Sequence, residues 1–279
     1  MPAAGARIGR NISHLIEANM NNITTIESVR NYWDRRPCNI RYSTAPIGSR
    51  EYFDQVEARK YFVEPHIPLF TEFEKWRGKR VLEIGCGIGT AAASFARAGA
   101  DYTGVDVSDE SLKLAKRRFE VYALTGRFYA GNAEELSAFL PVEHYDLVYS
   151  FGVIHHAPYP ERIVAQVKKY MHPESEFRLM LYAKNSWKNI MIGAGLDQPE
   201  AQHGCPIANC YSADEIRTLL AGFDIIDLRQ EHIFPYVIEK YVHYEYEYQP
   251  WFKSMPREMF KALEASLGWH TLVRCRLNA

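Results

Sequence analysis

Three glycines at the end of an apolar segment form the clearest binding motif of the chain. The run from Val81 to Thr90 reads VLEIGCGIGT, a pattern typical of a buried strand, a tight turn and the start of a helix. Glycines let a ligand approach the turn closely, and the first helical turn exposes unpaired N–H groups. Asp106 ends the next apolar segment, where a carboxylate can accept hydrogen bonds from both ribose hydroxyls. We therefore predict a nucleoside-containing cofactor.

The spacing of the glycines argues against a dinucleotide. The dinucleotide motif is G-x-G-x-x-G, but here the third glycine, Gly89, comes one residue early, and Thr90 stands where that motif has glycine. A nicotinamide-dependent dehydrogenase therefore remains only an alternative hypothesis, which preferential binding of NAD would support.

Two adjacent histidines, His155 and His156, follow the apolar segment at 145–151. A histidine whose pKa lies near neutrality can remove a proton from a hydroxyl group. Adjacent side chains do not point the same way, so we expect only one of them to act as a base, and we favour His155. The alternative for each is a structural role, capping the next helix or bonding the backbone.

From Lys79 onward, short apolar segments alternate with amphipathic ones. The alternation predicts β–α–β units and a mostly parallel, doubly wound α/β sheet. The predicted strands are 80–84, 101–107, 127–130, 145–151, 177–183, 224–228 and 269–276. The predicted helices among them are 89–98, 109–123, 133–139, 160–171, 212–223 and 258–267.

Two more helices are predicted before the first strand, one ending before Pro37 and one over 50–62. We therefore divide the chain into an N-terminal helical extension or cap, 1–75, and a main domain, 76–279. The main domain is expected to carry insertions at about 184–211 and 231–265, which have little βα periodicity and form a cap or lid.

Alternating tyrosines mark the second insertion. Tyr244, Tyr246 and Tyr248 are separated by Glu245 and Glu247, and a period of two indicates one aromatic face. That face is either a packed strand or lid, or an aromatic wall around an apolar acceptor.

The order E-x-G-x-G-x-G resembles motif I of the class I S-adenosylmethionine-dependent methyltransferases, and the resemblance extends from about Lys79 to the C-terminus. The segment 145–150 resembles motif IV of that family, and 267–276 resembles its last, antiparallel strand. The resemblance implies a seven-stranded sheet of order 3-2-1-4-5-7-6, with S-adenosylmethionine as cofactor and S-adenosylhomocysteine as product. The His-His turn is similar to that of small-molecule methyltransferases, including sugar and natural-product O-methyltransferases.

The resemblance also implies which residues contact the cofactor. Glu83 would orient the turn and hold the methionine amino group, and Asn132 and Ala133 would face the adenine. The full set of implied cofactor contacts is Glu83, Gly85, Cys86, Gly87, Gly89, Thr90, Asp106, Val107, Ser108, Asn132, Ala133, Glu134, Ser150 and Phe151.

Composition narrows the classes of partner. The formal net charge is −1, so no strong basic field is available for a nucleic-acid backbone. No run of about 18 apolar residues occurs, so we expect no membrane-spanning helix and no membrane partner. The five cysteines lack the spacing of a metal site; we expect reduced thiols, a cytoplasmic protein and no metal.

The predicted function is methyl transfer to a small molecule, apolar or carboxylate-bearing, with O-methylation of a hydroxyl or carboxylate preferred. Arg41, Arg59 and Lys184 are candidates for binding an acceptor carboxylate. The alternatives are an N- or C-methyltransferase, and a non-catalytic cofactor-binding or scaffold protein on the same fold.

Overall fold

An eight-stranded mixed sheet lies at the centre of the fold. The structure, a computed structural model, describes residues 25–196 and 204–278. The strands are β1 Arg80–Ile84, β2 Asp101–Asp106, β3 Arg127–Ala130, β4 Tyr145–Phe151, β5 Met171–Ala183, β6 Cys210–Tyr211, β7 Phe223–Glu231 and β8 His270–Leu277. Their order is β3-β2-β1-β4-β5-β8-β7, with β6 paired to β5 off this path.

The predicted fold class and strand order are confirmed, with one correction to the number of strands. β1 to β5 are mutually parallel where they pair, and β8 runs antiparallel between β5 and β7. The additional strand, β6, has only two residues and lies parallel to the end of β5. Two residues are too few to leave a periodic pattern in the sequence.

Helices cover both faces of the sheet. They are α1 Ile26–Arg35, α2 Arg50–Val63, α3 His66–Thr71, α4 Thr90–Ala98, α5 Asp109–Tyr122, α6 Pro160–Lys169, α7 Trp187–Gly193, α8 Ala213–Leu219, α9 Ile238–Tyr241, α10 Pro250–Lys253 and α11 Arg257–Leu267. Short 3₁₀ turns lie at Phe73–Trp76, Ala133–Ala138 and Ile154–His156. Successive strand residues point to opposite faces, so Leu82 joins the core under α6 and α8, whereas Val81 joins the core under α4.

The boundary between α6 and β5 differs from the prediction. The predicted helix continued to residue 171, but α6 ends at Lys169 and β5 begins at Met171. The polar residues at 172–176 conceal this part of the strand. Ser175 stabilises it, because its hydroxyl donates to the carbonyl oxygen of Tyr145 at 2.6 Å beside an irregularity in the β4–β5 pairing.

The helices before β1 pack onto the sheet domain through α5. Asp34 of α1 accepts a hydrogen bond at 2.8 Å from the hydroxyl of Ser108, the N-cap of α5. Tyr52 and Phe53 of α2 pack with Ile88 of the glycine turn. This packing brings the predicted N-terminal extension over the carboxyl ends of β1 and β2. Within the described residues, no helix has the length and apolar character needed to span a membrane.

Candidate active site

The glycine turn joins β1 to α4 and is hydrogen bonded to β2. The N–H groups of Gly85 and Cys86 both donate to the carbonyl oxygen of Val105, at 2.7 and 3.1 Å. Gly85 has a φ of +75°, and a Cβ there would lie 2.1 Å from Cγ2 of Val153. Gly87 has a φ of +53°, but a Cβ there would meet nothing within 4 Å. The turn is therefore closely packed at its first glycine and open at its second.

Asp106 lies against the open part of the turn. Its Oδ2 accepts from the N–H of Gly87 at 2.7 Å, and its Oδ1 accepts from the N–H of Ser108 at 2.9 Å. Burial raises the pKa of Asp106 to about 6, although these backbone donors oppose the shift. Each carboxylate oxygen can accept more than one hydrogen bond, so Oδ1 and Oδ2 of Asp106 can both still accept from hydroxyl groups of a ligand.

Glu83 is a second buried carboxyl beside the turn. It accepts a hydrogen bond from the Tyr102 hydroxyl at 2.5 Å, and burial raises its pKa to about 7. Gly104 is necessary for this contact, because a Cβ there would lie 2.6 Å from the Tyr102 hydroxyl oxygen. An amino group brought to Glu83 would meet a carboxyl whose hydrogen-bond donor in the protein is a neutral hydroxyl.

A cavity of about 770 Å³ joins these groups to the N-terminal helices and the second insertion, a volume typical of small-molecule sites. The predicted residues that line it are Glu83, Gly85, Cys86, Gly87, Thr90, Asp106, Val107, Asn132, Ala133, Phe151 and His156. The predicted residues outside its lining are Gly89, Ser108, Glu134, Ser150 and His155.

Three of the residues outside the lining support the site from behind. Ser108 orients Asp106 and caps α5, accepting from the N–H of Ser111 at 3.1 Å. Gly89 lets α4 approach α5, because a Cβ there would lie 3.1 Å from Ala115. Glu134 accepts from the N–H of Tyr159 at 2.9 Å and so ties the turn after β3 to the start of α6.

The two histidines occupy different positions. His155 is fully buried, with its ring 3.7 Å from the ring of Tyr182. His156 lines the cavity under Trp33 of α1, the ring centroids being 5.2 Å apart. Nδ1 of His156 lies 2.5 Å from the carbonyl oxygen of Ile207. A carbonyl only accepts, so this contact places the proton on Nδ1 and leaves the lone pair on Nε2.

The environment of His156 keeps its ring neutral. Burial lowers its pKa to about 4, and its Nε2 has no hydrogen-bond partner among the described residues. The thiol of Cys205, from the end of the first insertion, lies 3.4 Å from Nδ1. His156 is therefore a neutral acceptor at the wall of the cavity.

Arg59 of α2 supplies a buried cation to the same cavity. Its guanidinium carbon lies 4.1–5.1 Å from the ring centroids of Tyr42, Tyr241 and Tyr244, and Nη2 donates to the carbonyl oxygen of Tyr241 at 2.7 Å. Its Nε and Nη1 have no hydrogen-bond partner in the described parts of the chain. The side chain is only 7% exposed; a buried cation of this kind favours an anionic ligand. Of the other two predicted cations, Arg41 lines the cavity, but Lys184 pairs with Glu215 on the surface.

The alternating tyrosines do not form a strand. Tyr244 has a φ of +67°, and its hydroxyl donates to the carbonyl oxygen of Arg41 at 2.9 Å. Tyr246 packs against Phe62 at 4.8 Å, and Tyr248 makes a single β-bridge with Tyr236. The segment instead joins the loop between α1 and α2, α2 itself and the second insertion around Arg59.

Sequence reasoning missed a buried cluster of Glu64, His66 and His270. Nε2 of His66 lies 2.9 Å from Nδ1 of His270, and Nε2 of His270 lies 3.8 Å from Oε1 of Glu64. Burial lowers the pKa of both histidines well below the ordinary value. Glu64 and His66 are 204 and more residues from His270 along the chain, so no local spacing indicated the cluster.

The comparisons with known proteins agree with this geometry. Residues 82–179 match the family described as "Methyltransferase domain". The chain contains a class I, S-adenosylmethionine-dependent methyltransferase domain. Its sheet order is that expected of the class, and the matched residues run from β1 to β5.

The relatives of the methyltransferase domain include O-methyltransferases. The ubiquinone biosynthesis O-methyltransferase of Proteus mirabilis is 31% identical over 158 residues, which cover 56% of this chain and 63% of that protein. That of Salmonella paratyphi A is 33% identical over 119 residues, covering 42% of this chain and 49% of that protein. The chain thus spans about half to three fifths of the length of these relatives.

Solved structures share the fold at low identity. Magnesium protoporphyrin IX methyltransferase from Synechocystis PCC 6803, with bound S-adenosylhomocysteine, aligns with a TM-score of 0.59 and 16% identity, covering 91% of this chain and all of that one. An S-adenosylmethionine-dependent methyltransferase from Clostridium acetobutylicum aligns with a TM-score of 0.51 and 12% identity, covering 79% and 92%.

Proposed function

We propose that this chain transfers a methyl group from S-adenosylmethionine to an oxygen atom of a small-molecule acceptor. The observation that carries the proposal is a single cavity lined by the glycine turn with Asp106 and also by His156 and Arg59. Methyl transfer from a sulfonium is an in-line displacement, and holding the two reacting atoms about 3–3.5 Å apart provides much of the acceleration. A transfer of this kind needs both sets of residues to line one cavity, as they do here.

The assignment of the cofactor to one side of the cavity depends on the two carboxyl groups and on the open backbone of the glycine turn. Asp106 would bind the ribose hydroxyls, and Glu83 would bind the methionine ammonium. Asn132 and Ala133, which also line the cavity, would contact the adenine. The solved relative with bound S-adenosylhomocysteine supports this choice of ligand.

Titration calorimetry tests the cofactor. We expect the full chain to bind S-adenosylmethionine and S-adenosylhomocysteine but not NAD, and Asp106→Ala to lose that binding because the ribose loses its acceptor. Asp109→Ala, an exposed acid at the start of α5, is the matched control and should bind as the parent does. Well-folded parent protein that binds no adenosyl ligand, or prefers NAD, would contradict the proposal.

For a hydroxyl acceptor, we assign the role of base to His156 rather than to His155. Only His156 lines the cavity, and the hydrogen bond from Nδ1 to Ile207 directs the lone pair of Nε2 away from the backbone. Its low pKa keeps the ring neutral throughout the physiological range, so the lone pair of Nε2 is available to accept a proton. His155 supports it from behind through ring contact at 4.4 Å.

The effect of His156→Ala distinguishes a hydroxyl from a carboxylate acceptor. Loss of a general base typically costs about 10²–10⁴-fold in rate, whereas a carboxylate is already ionised and needs no base. We expect the large loss on a hydroxyl acceptor, measured as kcat by methyl transfer from labelled cofactor. A small loss on a proven hydroxyl acceptor would contradict the base role, and a product methylated on nitrogen or carbon would favour that alternative.

Arg59 favours an acceptor that carries a carboxylate. A guanidinium whose Nε and Nη1 atoms have no partner among the described residues offers a positive charge and N–H donors to a carboxylate. In a screen of aromatic hydroxy acids against their neutral amides, we expect the acids to be preferred and Arg59→Gln to remove that preference. Lys184→Gln, which removes a surface cation, is the control. Equal use of acids and amides by the parent protein would contradict this assignment, and binding without turnover on the whole panel would favour a scaffold protein.

A further inference from the structure

We propose that Glu64, His66 and His270 form a binding site for a divalent transition-metal ion in the wall of the cavity. Each residue offers one donor atom, and these atoms lie within 4.8 Å of one another. All three side chains are at least nine-tenths buried, so the donors are held apart from bulk water. Metal binding here is independent of the proposed methyl transfer.

The donor set is one that such ions prefer. Two imidazole nitrogens and one carboxylate oxygen bind Zn²⁺ in catalytic sites and Fe²⁺ in facial triads, with further positions left open. Metal–ligand lengths of about 2.0–2.2 Å place donor atoms of a tetrahedral site roughly 3.3 Å apart. Nε2 of His66 and Nδ1 of His270 lie 2.9 Å apart, and one donor atom from each of the three residues lies within 4.8 Å of the other two, so modest side-chain rotations bring the set to that spacing.

The surrounding structure holds the three donors together. Glu64 and His66 flank Pro65 where α2 gives way to α3, and His270 is the first residue of β8. The rings of His66 and His270 both pack near Phe151 at the end of β4, at 6.1 and 5.6 Å. The site therefore forms only when the N-terminal helices dock on the sheet.

His232 adds a third imidazole to the cluster. Its ring centroid lies 5.2 Å from that of His66 and 4.7 Å from that of His270. It has a φ of +73°, a left-handed conformation that is strained for a non-glycine residue. The N–H of Trp269 fixes it by donating to its carbonyl oxygen at 2.8 Å. Strain of this kind, maintained by surrounding contacts, is common at ligand sites.

An ion at this position would face the cavity, because Glu64 and His270 line it. An open coordination position could take an oxygen atom of a small molecule and lower the pKa of a bound hydroxyl. This role rests on the proposed function. The ligand of the ion would then be the acceptor itself, an alcohol or hydroxy acid whose oxygen lies between the ion and the cofactor.

The test uses the full chain after treatment with a chelator. Titration calorimetry with Zn²⁺ should give one equivalent of tight binding, and Co²⁺ should give the visible absorption bands of a low-symmetry nitrogen–oxygen site. Glu64→Gln and His270→Gln should each weaken Zn²⁺ binding by more than the ~10–100-fold that loss of a supporting group causes. His243→Ala, which removes an exposed histidine, is the matched control and should bind as the parent does.

Three results would overturn the site. The first is the absence of one-equivalent binding by the parent protein. The second is binding that is unchanged in both variants when their unfolding temperatures in chelator match that of the parent. The third is a sulfur-to-cobalt charge-transfer band in the near ultraviolet, which would move the ion to a cysteine. None of these measurements needs the methyl-donor cofactor, so failure of the metal site and failure of the proposed function are distinguishable.

Discussion

At the scale of single residues, the buried carboxyl of Glu83 makes stability depend on pH. Burial raises its pKa from the ordinary 4.5 to about 7, so between these values the folded protein binds more protons than the unfolded chain. Stability from this group is therefore present below pH 4.5 and is lost as pH rises to 7. The change is on the order of 3 kcal/mol.

Glu83→Gln should remove this dependence while keeping an acceptor for the Tyr102 hydroxyl. As pH rises from 4.5 to 7, we expect the free energy of unfolding of the variant to increase relative to that of the parent by that amount. Both are measured without cofactor. Histidines with lowered pKa, such as His156, act with the opposite sign, but they are present in both proteins and cancel in the difference. Glu120→Gln, at an exposed position of α5, is the control. A difference in free energy of unfolding that does not vary with pH would contradict the prediction.

At the scale of elements, two glycines of the same turn have different roles, one in packing and the other in ligand binding. Gly85→Ala would place a methyl group 2.1 Å from Val153 at a positive φ, whereas Gly87→Ala would extend into open space. A positive φ alone costs an L-residue about 1–2 kcal/mol. We expect Gly85→Ala to lose more than about 2 kcal/mol of stability.

The matched variant Gly87→Ala should lose only the conformational cost, about 1 kcal/mol, but should weaken binding of S-adenosylhomocysteine because its methyl group occupies the cavity. Denaturant unfolding and calorimetry measure the two effects. Val153→Ala combined with Gly85→Ala should restore part of the stability by relieving the contact. Equal stability of the two single variants would show that the turn is not packed as described.

At the scale of the whole molecule, the cavity closes only because distant segments meet over the sheet. Helix α1 has a single buried residue, Val29, and its Trp33 covers His156. An element with so little burial opens easily. We expect S-adenosylhomocysteine to slow hydrogen exchange in α1, as followed by mass spectrometry of peptides from the full chain.

The central strand β4 provides the internal control, because its exchange is expected to require global unfolding and should change less than that of α1. Equal slowing of α1 and β4 would indicate general stabilisation by the ligand. Unchanged exchange in α1 would contradict its role in closing the cavity over the bound ligand.

The sequence by itself determined the fold class, the glycine turn and the acid at the end of β2. These features are local: a βα turn and the following strand lie within about 20 residues, and the periodicity of each element depends on its own residues. Asp106 could therefore be predicted to meet Gly87, and the two are hydrogen bonded. Polar residues in β5 and the short length of β6 concealed those strand limits.

Only the tertiary structure decided which side chains reach the acceptor half. His155 and His156 are equivalent in the sequence, and the packing of Tyr182 against one and Trp33 against the other separates them. Glu64 and His270 come together across more than 200 residues, and Arg59 meets Tyr241 across 182. Contacts of this kind depend on how whole elements dock, which no local pattern of residues specifies.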